Sequence, residues 1–413
     1  MNSRKYICLQ WETLEVTTRR SKTCFTFCPG KIYVKEGIIM VYLDNSATTF
    51  VDERVLETFC KVCRDFPGNV NSIHGLGMKA KELEEYATSR IASLLKVKES
   101  EIIYTSGATE SNNTVLKGVA SKYKNRGNHI IISYLEHSSV IETCKYLEKK
   151  GFIIDYVKID SNGLIDLNSL QSLINDKTIL VSLSYVDSEL GVIQNIKDIK
   201  KIIDKYPKCY FHVDCTQAVG KIKIDFNDMD FFSMSGHKIF GLKGIGLLVK
   251  KEKIIIDNLI HGGKSTTIYR AGTPALALIC SLMKSLELVI PNIDDNYKYV
   301  NNLNKMIVDF LKKYDGVHIN STMCSIPYII NFSIRDIKPE TFIHAMDERG
   351  IYLSTKSACS SSDISSSVEA VFHDKMIATH SIRISLSYKN TTSEIEEFLE
   401  AFDKVYNKLL LKN

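Results

Sequence analysis

Short apolar runs alternate with amphipathic stretches from residue 52 onward, and this alternation constrains the fold more than any other feature of the chain. Each run holds four to eight residues rich in Ile, Val, Leu and Phe, which is typical of strands buried on both faces of a sheet. The predicted strands are HIIIS (129–133), TILVSLSY (178–185), CYFHVD (209–214), DFFSMS (230–235) and IGLLVK (245–250). The pattern predicts an α/β fold, in which a mainly parallel sheet is covered by helices.

The stretches between the predicted strands have helical periodicity. In residues 75–95 the apolar side chains recur at three- and four-residue spacing, as one stripe of a helix. The members of this stripe are Ala80, Leu83, Ala87, Ile91 and Leu94. A longer helical stretch, from Pro274 to about Tyr314, precedes a shorter strand–helix section. Because 413 residues exceed one core of ordinary size, we expect two domains with a boundary near Pro291.

The composition excludes several classes of partner. The chain has 53 basic and 48 acidic residues, and a net charge of +5 is too mild to indicate direct binding of nucleic acid or of an anionic membrane surface. No apolar run approaches the ~18–20 residues that span a bilayer, so we expect a soluble protein. The eleven scattered cysteines indicate free thiols in a reducing compartment, and we predict a cytoplasmic location.

One pair of cysteines resembles a redox or zinc motif. Cys60 and Cys63 stand in the sequence CKVC, but the surrounding residues predict a helix and no second ligand pair follows at metal spacing. We therefore interpret the two thiols as small hydrophobic groups on a helix face and predict no metal site. Cys24 and Cys28 have no partners at such spacing either.

Residues 1–39 differ from the rest of the chain. They have no sustained periodicity, and they lack the apolar core and cleavage site of a secretory signal. Basic residues suggest a transit peptide, but Glu12, Glu15 and Glu36 weaken that reading. The codons for residues 35–37 can spell a purine-rich ribosome-binding site, so we favour translation from Met40, with residues 1–39 a non-native or disordered leader.

Polar residues follow the predicted strands, where open α/β sheets bind ligands. The segment SGATESNN (106–113) opens a helix with free N–H groups and hydroxyls, which suits a phosphate, although an ordinary helix cap has the same pattern. His137 follows the next strand, and Asp214 ends a buried strand where a carboxylate needs a cationic partner. Lys238 follows another strand and is flanked by glycines that permit close backbone packing.

Together these groups match the needs of pyridoxal 5′-phosphate. The helix start and the hydroxyls would hold the phosphate, and Asp214 would keep the pyridine nitrogen protonated, which makes the ring an electron sink. Lys238 would form a Schiff base with the aldehyde. Each signal is weak alone, but the residues all stand at the ends of predicted strands.

The chain also resembles the cysteine desulfurases of the NifS/IscS type, which are class V pyridoxal-phosphate enzymes of fold type I. The resemblance covers residues 40–413. Its motifs, in order, are YLDNSATT (42–49), TSGATESNN, EHSSV, HVDCTQAVGK, SGHKIFGLKG, RAGT (270–273) and STKSACSSS (354–362). It implies a large cofactor-binding domain of residues 55–290, and a smaller α+β domain of residues 40–54 with 291–413.

The resemblance implies a role for each matching residue toward the cofactor. Lys238 would bond it covalently, and His137 would stack on the ring and move protons. Asp214 would pair with the ring nitrogen, and Gln217 would hydrogen-bond the phenolic oxygen. The residues expected to hold the phosphate are Ala108, Thr109, Ser235 and His237.

The resemblance further implies the substrate and the partners. Arg383 would clamp the carboxylate of L-cysteine, a role that suits its planar fork. Cys359 would take the sulfur as a persulfide and leave L-alanine, and its serine-rich surroundings predict a mobile surface loop. Thr273 would reach the cofactor phosphate of a neighbouring subunit, which implies a homodimer. The sulfur acceptor would be an iron–sulfur scaffold or a tRNA-thiolation enzyme.

Three positions depart from the family pattern. Asp187-Ser188-Glu189-Leu190-Gly191 stands where the family has Asn-Asn-Glu-x-Gly, so Ser188 replaces an amide that contacts the phenolic oxygen. Lys264 interrupts a glycine-rich stretch, and Lys356 stands where a glycine often precedes Ser-Ala-Cys. None of these changes removes an essential catalytic group.

Three alternative functions stay open at this point. A selenocysteine lyase or another β-lyase would use the same cofactor but would not need Cys359. A degenerate member acting as a binding scaffold is suggested by Asp187 and Ser188. A nucleotide-binding Rossmann protein is disfavoured, because no GxGxxG motif follows the first strand and opens a helix.

Overall fold

A computed structural model describes residues 40–263, 265–355 and 364–411, together with the backbone of four short strands within residues 1–39. The strands are β1 (Ile7–Gln10), β2 (Thr13–Thr18), β3 (Ser21–Cys28), β4 (Lys31–Ile32), β5 (Val41–Tyr42), β6 (Ile102–Thr105), β7 (His129–Ile132), β8 (Ile153–Tyr156), β9 (Thr178–Ser184), β10 (Tyr210–Asp214), β11 (Phe231–Ser235), β12 (Gly246–Lys250), β13 (Val317–Ile319), β14 (Ile329–Ile334), β15 (Ile351–Tyr352) and β16 (Ser381–Ser385). The α-helices are α1 (Glu53–Asp65), α2 (Gly75–Leu95), α3 (Ala108–Tyr123), α4 (Ser138–Glu148), α5 (Leu167–Leu173), α6 (Ile196–Ile203), α7 (Leu276–Val289), α8 (Ile293–Leu311), α9 (Pro339–Asp347), α10 (Ser366–Phe372), α11 (Lys375–Thr379) and α12 (Thr392–Leu410).

The centre of the protein is a seven-stranded sheet with the order β6-β12-β11-β10-β9-β7-β8. Strand β12 is antiparallel to both of its neighbours, whereas the pairs from β11 to β8 are parallel. Six strands therefore run in one direction, and their carboxyl ends share one edge. The five strands predicted from apolar runs all belong to this sheet, with ends that differ from the prediction by one residue. Strands β9, β11 and β12 are buried throughout, as a sheet covered on both faces requires.

Helices cover the sheet as the apolar stripes predicted. Helix α2 spans the predicted residues, and Ala80, Ala87 and Ile91 of its stripe are fully buried. Helices α1 and α2 both pack on α7. The predicted boundary residue, Pro291, lies in a 3₁₀ turn of residues Ile290–Asn292 between α7 and α8.

The helical stretch Leu276–Leu311 meets the length and composition expected of a membrane span, contrary to the expectation from apolar runs. Of its most apolar window, 56% is buried inside the protein. Buried core helices meet the same test, so the match is weak support for a membrane span.

The C-terminal part has its own antiparallel sheet, in the order β13-β14-β16. The chain just after Met40 joins this part, because β5 pairs in parallel with β15 and Asp44 bridges to Ser385. These contacts favour a small domain that combines residues 40–54 with 291–413, which we propose on that ground.

The segment before Met40 contains strands β1 to β4, which pair in order as an antiparallel sheet. The start of translation at Met40 stays a prediction.

The cysteines whose side chains are described are all free, with Cys60 and Cys63 on α1 as predicted. Within the described residues, no group of three His, Cys, Asp or Glu side chains is placed to hold a metal.

Candidate active site

The predicted site residues meet in one cavity of about 180 Å³ at the carboxyl edge of the central sheet. Its walls come from the segments that follow β6, β7, β9, β10 and β11, together with Ser46 and Ala47 after β5 and Arg383 of β16. The lining residues that sequence analysis named are Ala108, Thr109, His137, Ser188, Asp214, Gln217, Ser235, His237, Lys238 and Arg383. Residues that are far apart in the chain converge here because parallel strands end at the same edge.

Lys238 closes a 3₁₀ turn directly after β11 and is half-buried. Its Nζ donates hydrogen bonds to the backbone carbonyl of Ala47, at 2.7 Å, and to that of Ser46. The glycines around it allow close packing as predicted: a Cβ on Gly241 would lie 2.7 Å from the carbonyl oxygen of Gly236. The amine is thus held in the cavity by carbonyl groups of the segment that follows β5.

Asp214 ends β10 and is 6% exposed. Its carboxylate accepts hydrogen bonds from Asn112 Nδ2 at 2.8 Å and from the Thr216 backbone N–H at 2.9 Å. Both donors are neutral, and no Lys, Arg or His of the described chain lies within ion-pair distance. The expected cationic partner is therefore not found among the described residues, and a buried carboxylate is costly without one.

His137 lies directly before α4 and caps that helix. Its Nδ1 accepts a hydrogen bond from the Ser139 backbone N–H at 3.1 Å, so the proton of the neutral ring is on Nε2. Burial lowers the pKa of His137 and outweighs the opposing effect of the Asp214 carboxylate, while the charge of Lys238 lowers the pKa further. The ring therefore faces the cavity uncharged at neutral pH, with Nε2 able to carry a proton.

The start of α3 forms the other end of the cavity. The Ala108 N–H donates to Ser235 Oγ at 2.7 Å, so the hydroxyl lies over the first turn of the helix with Thr109 beside it. His237 contacts Thr48 Oγ1 at 3.2 Å, and burial, together with Lys238 and Lys243, lowers its pKa to about 4. First-turn N–H groups have no partner within a helix, so this end is suited to an anion.

Arg383 comes from the central part of β16 and is 1% exposed. Its Nη2 donates to Asp44 Oδ1 at 2.8 Å, and its Nη1 donates to the Ser188 carbonyl at 2.9 Å. Among the described residues, Nε has no hydrogen-bond partner. The guanidinium is therefore fixed in orientation and retains N–H donors that these contacts do not use, among them Nε–H.

The substituted position Ser188 contributes a backbone group to this arrangement as well as lining the cavity. The acidic residues on either side of Ser188 are buried, and they accept hydrogen bonds from serine side chains directly before α10 and within it. Asp187 accepts from Ser367 Oγ at 3.0 Å, and Glu189 accepts from Ser365 Oγ.

Three contributing residues were not predicted. Asn112 holds Asp214, Asp44 pairs with Arg383, and buried Lys221 donates to Gln217 Oε1 at 2.5 Å. Each of them stands inside a motif that sequence analysis quoted, but a motif does not show which side chain a residue contacts.

One predicted residue is described outside this cavity. Thr273 is exposed and is not one of the lining residues. Cys359 lies outside the described residues, as do Lys264 and Lys356.

The fold and the cavity define the class of protein. The sheet order, the lysine after β11 and the carboxylate at the end of β10 agree with a family match over residues 41–398, which is described as aminotransferase class V. The chain belongs to that family, whose members use pyridoxal phosphate.

Comparison with individual proteins shows to which group within this family the chain belongs. Cysteine desulfurase IscS of Clostridium botulinum is 36% identical over 373 residues, which cover 88% of this chain and 94% of the relative. A solved NifS-like protein superposes with a TM-score of 0.85 at 35% identity, over 89% of this chain and 100% of that one. A structure of SspA in complex with cysteine matches with a TM-score of 0.75 at 30% identity, over 85% and 99% of the two chains. The protein belongs to the NifS/IscS cysteine desulfurase family, which confirms the resemblance.

Proposed function

We propose that this protein is a pyridoxal-phosphate-dependent cysteine desulfurase that uses the cavity described above. The observation that carries the proposal is the meeting of Asp214, Lys238 and Arg383 around one cavity. Asp214 lacks a cationic partner within the described chain, and Arg383 Nε lacks an acceptor there. A protonated pyridine nitrogen and a substrate carboxylate would satisfy these two groups.

The lining residues fit the cofactor at both of its ends. The N–H groups at the start of α3, with Thr109, Ser235 and His237, would hold the phosphate, because this end of the cavity presents donors. Asp214 would keep the ring nitrogen protonated, and Gln217 would donate to the phenolic oxygen. When bound, the cofactor supplies an electron sink for the carbanion at the substrate Cα.

The other groups of the chain would orient the substrate and move protons. Arg383 would fix the carboxylate of L-cysteine, and the Lys238 amine would take the Cα proton. His137 Nε2 would carry a proton at the ring face. The thiolate of Cys359 would bond to the substrate sulfur as the carbon–sulfur bond breaks. The electron pair of that bond would stay on the carbon, whose protonation gives L-alanine.

The proposal that Cys359 is the nucleophile agrees with the raised pKa values of other thiols of the chain. Burial raises the pKa of Cys144 and Cys280 to about 12, and it raises that of Cys215 well above the usual thiol value. These thiols are inert at neutral pH, since the thiolate is the nucleophile. Cys324 is only partly buried and is therefore the natural control.

The finer proposals concern partners and location. We propose a homodimer in which Thr273 contacts the cofactor phosphate of the neighbouring subunit, since Thr273 is exposed and does not line its own cavity. We also propose that the persulfide sulfur passes to an iron–sulfur scaffold or a tRNA-thiolation enzyme in the cytoplasm. The mild net charge and the unpaired cysteines are consistent with this.

The test is a single-turnover experiment on the purified protein with L-cysteine. We expect alanine release, and mass spectrometry should find one added sulfur on the peptide that carries Cys359. Cys359→Ser should bind L-cysteine but release little alanine, whereas Cys324→Ser should behave as wild type. Normal turnover by Cys359→Ser would favour a β-lyase, and a folded wild-type protein that releases no alanine would favour a scaffold.

A further inference from the structure

Lys221 is a second lysine beside the site, and the chemistry proposed above does not use it. It stands at the end of the turn that follows β10, four residues after Gln217. The preceding Gly220 has a φ of +74°, and a Cβ there would lie 2.8 Å from Val289 Cγ2. Glycine therefore allows the turn to bring Lys221 inward, where it is 7% exposed.

The Lys221 side chain is connected to the active-site cavity by its hydrogen bond to Gln217. Its Nζ donates to Gln217 Oε1 at 2.5 Å, and Lys221 is not one of the residues that line the larger cavity. It lines instead a cavity of about 20 Å³ behind the site, with Lys238, Tyr328 and Tyr388 as the other titratable neighbours. Within the described chain, no carboxylate forms an ion pair with it.

The Gln217 amide is held in one orientation by two independent contacts. Its Nε2 donates to the Ser46 carbonyl at 3.0 Å, and a carbonyl can only accept. Its Oε1 receives an N–H from Lys221, which has such donors whether it is protonated or neutral. Nε2 therefore has one further hydrogen to donate into the cavity.

We propose that Lys221 is a positioning residue that fixes the Gln217 amide so that its N–H faces the phenolic oxygen of the cofactor. The inference rests on the proposed function. Without Lys221, Oε1 would be buried without a donor, and the amide would turn to find one. The N–H directed at the phenolic oxygen would then be weakened or lost.

The protonation state of Lys221 does not decide the orientation. Burial lowers the pKa of Lys221 to about 7, and the positive charges of Lys238 and Arg383 act in the same direction. Both the ammonium and the neutral amine carry N–H groups, so the contact with Oε1 persists in each state.

The experiment compares the absorption of the bound cofactor as a function of pH in four proteins: wild type, Lys221→Met, Gln217→Met and the double variant. A donor to the phenolic oxygen stabilises its anionic form, so losing that donor should raise the pH midpoint. We expect a rise of about one pH unit for Gln217→Met and a smaller rise for Lys221→Met. The double variant should match Gln217→Met alone, because Lys221 acts through Gln217.

Two outcomes would overturn the inference. A Lys221→Met shift of equal size with and without Gln217 would mean that Lys221 acts as a charge, and an unchanged midpoint would mean that it does not act at all. Lys250→Met is the matched control, since Lys250 is 1% exposed and donates to the Ile254 carbonyl at 2.6 Å outside the lining of either cavity. It should leave the midpoint unchanged.

Folding of each variant is checked by circular dichroism. If Lys221→Met does not fold, Lys221→Gln replaces it, because a glutamine keeps an N–H donor and should leave the midpoint closer to that of the wild type than Gln217→Met does; a shift as large as that of Gln217→Met would contradict the inference. A wild-type protein without pyridoxal absorbance would overturn the proposed cofactor, and this inference with it. If the wild type shows normal pyridoxal absorbance but Lys221→Met and Gln217→Met shift the midpoint independently of each other, only the inference about Lys221 is overturned.

Discussion

At the residue scale, the site depends on two side chains that the described chain does not fully satisfy. The Asp214 carboxylate has no cationic partner there, and Arg383 Nε has no acceptor. Asp214 is held by the neutral donors Asn112 and Thr216, and Arg383 is held by Asp44 and the Ser188 carbonyl. These contacts fix each side chain before a ligand arrives. Preorganisation of this kind reduces the reorganisation that binding and reaction require.

Asp214→Asn tests whether the carboxylate charge is needed. The amide keeps the shape of the side chain, so the fold should be retained, but a neutral amide cannot hold a pyridine nitrogen in its protonated form. We expect alanine production to fall by roughly 10²–10³-fold in kcat, since electrostatic contributions of this type are worth a few kcal/mol. Retention of most of the wild-type rate would show that another group holds the ring nitrogen.

Arg383→Lys tests the planar fork. A lysine keeps the charge but cannot contact Asp44 and the Ser188 carbonyl while also presenting a donor to the substrate. We expect kcat/KM for L-cysteine to fall by about 10–100-fold, the usual range for one charged hydrogen bond. Arg90→Lys is the control, because Arg90 pairs with Glu287 at 3.1 Å away from the cavity and its side chain is 44% exposed. A change below about threefold in Arg383→Lys would argue against a clamp on the carboxylate.

At the element scale, the start of α1 is tied to the C-terminal part of the chain by one carboxylate. Asp52 caps the helix through the Arg54 N–H and contacts Arg54 Nε and Lys389 Nζ, each at 2.9 Å. The hydrogen bonds from Arg54, with Lys389, hold the pKa of Asp52 well below its usual range. A carboxyl whose folded-state pKa is lowered stabilises the fold above its unfolded pKa and loses that effect as pH falls.

Asp52→Asn should therefore lower the free energy of unfolding by about 1–2 kcal/mol at pH 7. The gap between wild type and variant should shrink below the ordinary Asp pKa of 3.8, because there the unfolded wild-type chain takes up a proton while the folded carboxylate keeps its charge, which favours unfolding. Urea unfolding at pH 7, 5 and 3 measures this gap. Asp309→Asn is the control, since the Asp309 side chain is 73% exposed. A gap that stays constant over this pH range would contradict the assignment.

At the scale of the whole molecule, the surface at the start of α2 is unusually apolar. Ile73 is 96% exposed, and Leu76 and Met78 are 54% and 56% exposed. Clustered exposed apolar side chains are typical of protein–protein contacts. They favour the proposed homodimer, with this surface in the interface.

Replacing Ile73 and Leu76 by Glu should convert the proposed dimer to a monomer, because the interface would then bury unpaired charges. Sedimentation velocity measures the change, and alanine production should fall with it if Thr273 acts in the neighbouring site. Met323→Glu is the control, since Met323 is 91% exposed elsewhere on the surface. A double variant that stays dimeric would place the interface on another surface.

Much of the fold and the site followed from the sequence, because both depend on local patterns. Apolar runs predicted five of the seven strands of the central sheet to within a residue, and the residues at or after the ends of these strands include the cavity-lining groups His137, Asp214 and Lys238. A buried strand is visible in the sequence as a run of consecutive apolar residues. A parallel sheet brings the ends of its strands to one edge, whatever the order of the strands in the sheet. The family resemblance then supplied Gln217 and Arg383.

Only the tertiary structure decided which residues contact Asp214, Arg383 and Gln217. Asn112 reaches Asp214 across 102 positions and Asp44 reaches Arg383 across 339, so no local pattern records either contact. The order of the seven strands and the insertion of antiparallel β12 are likewise set by packing. Lys221 and Gln217 are only four residues apart, yet a lysine at that spacing is ordinarily exposed on a helical turn. Its burial against the site depends on the turn at Gly220 and on the packing of Val289, which only the folded chain brings together.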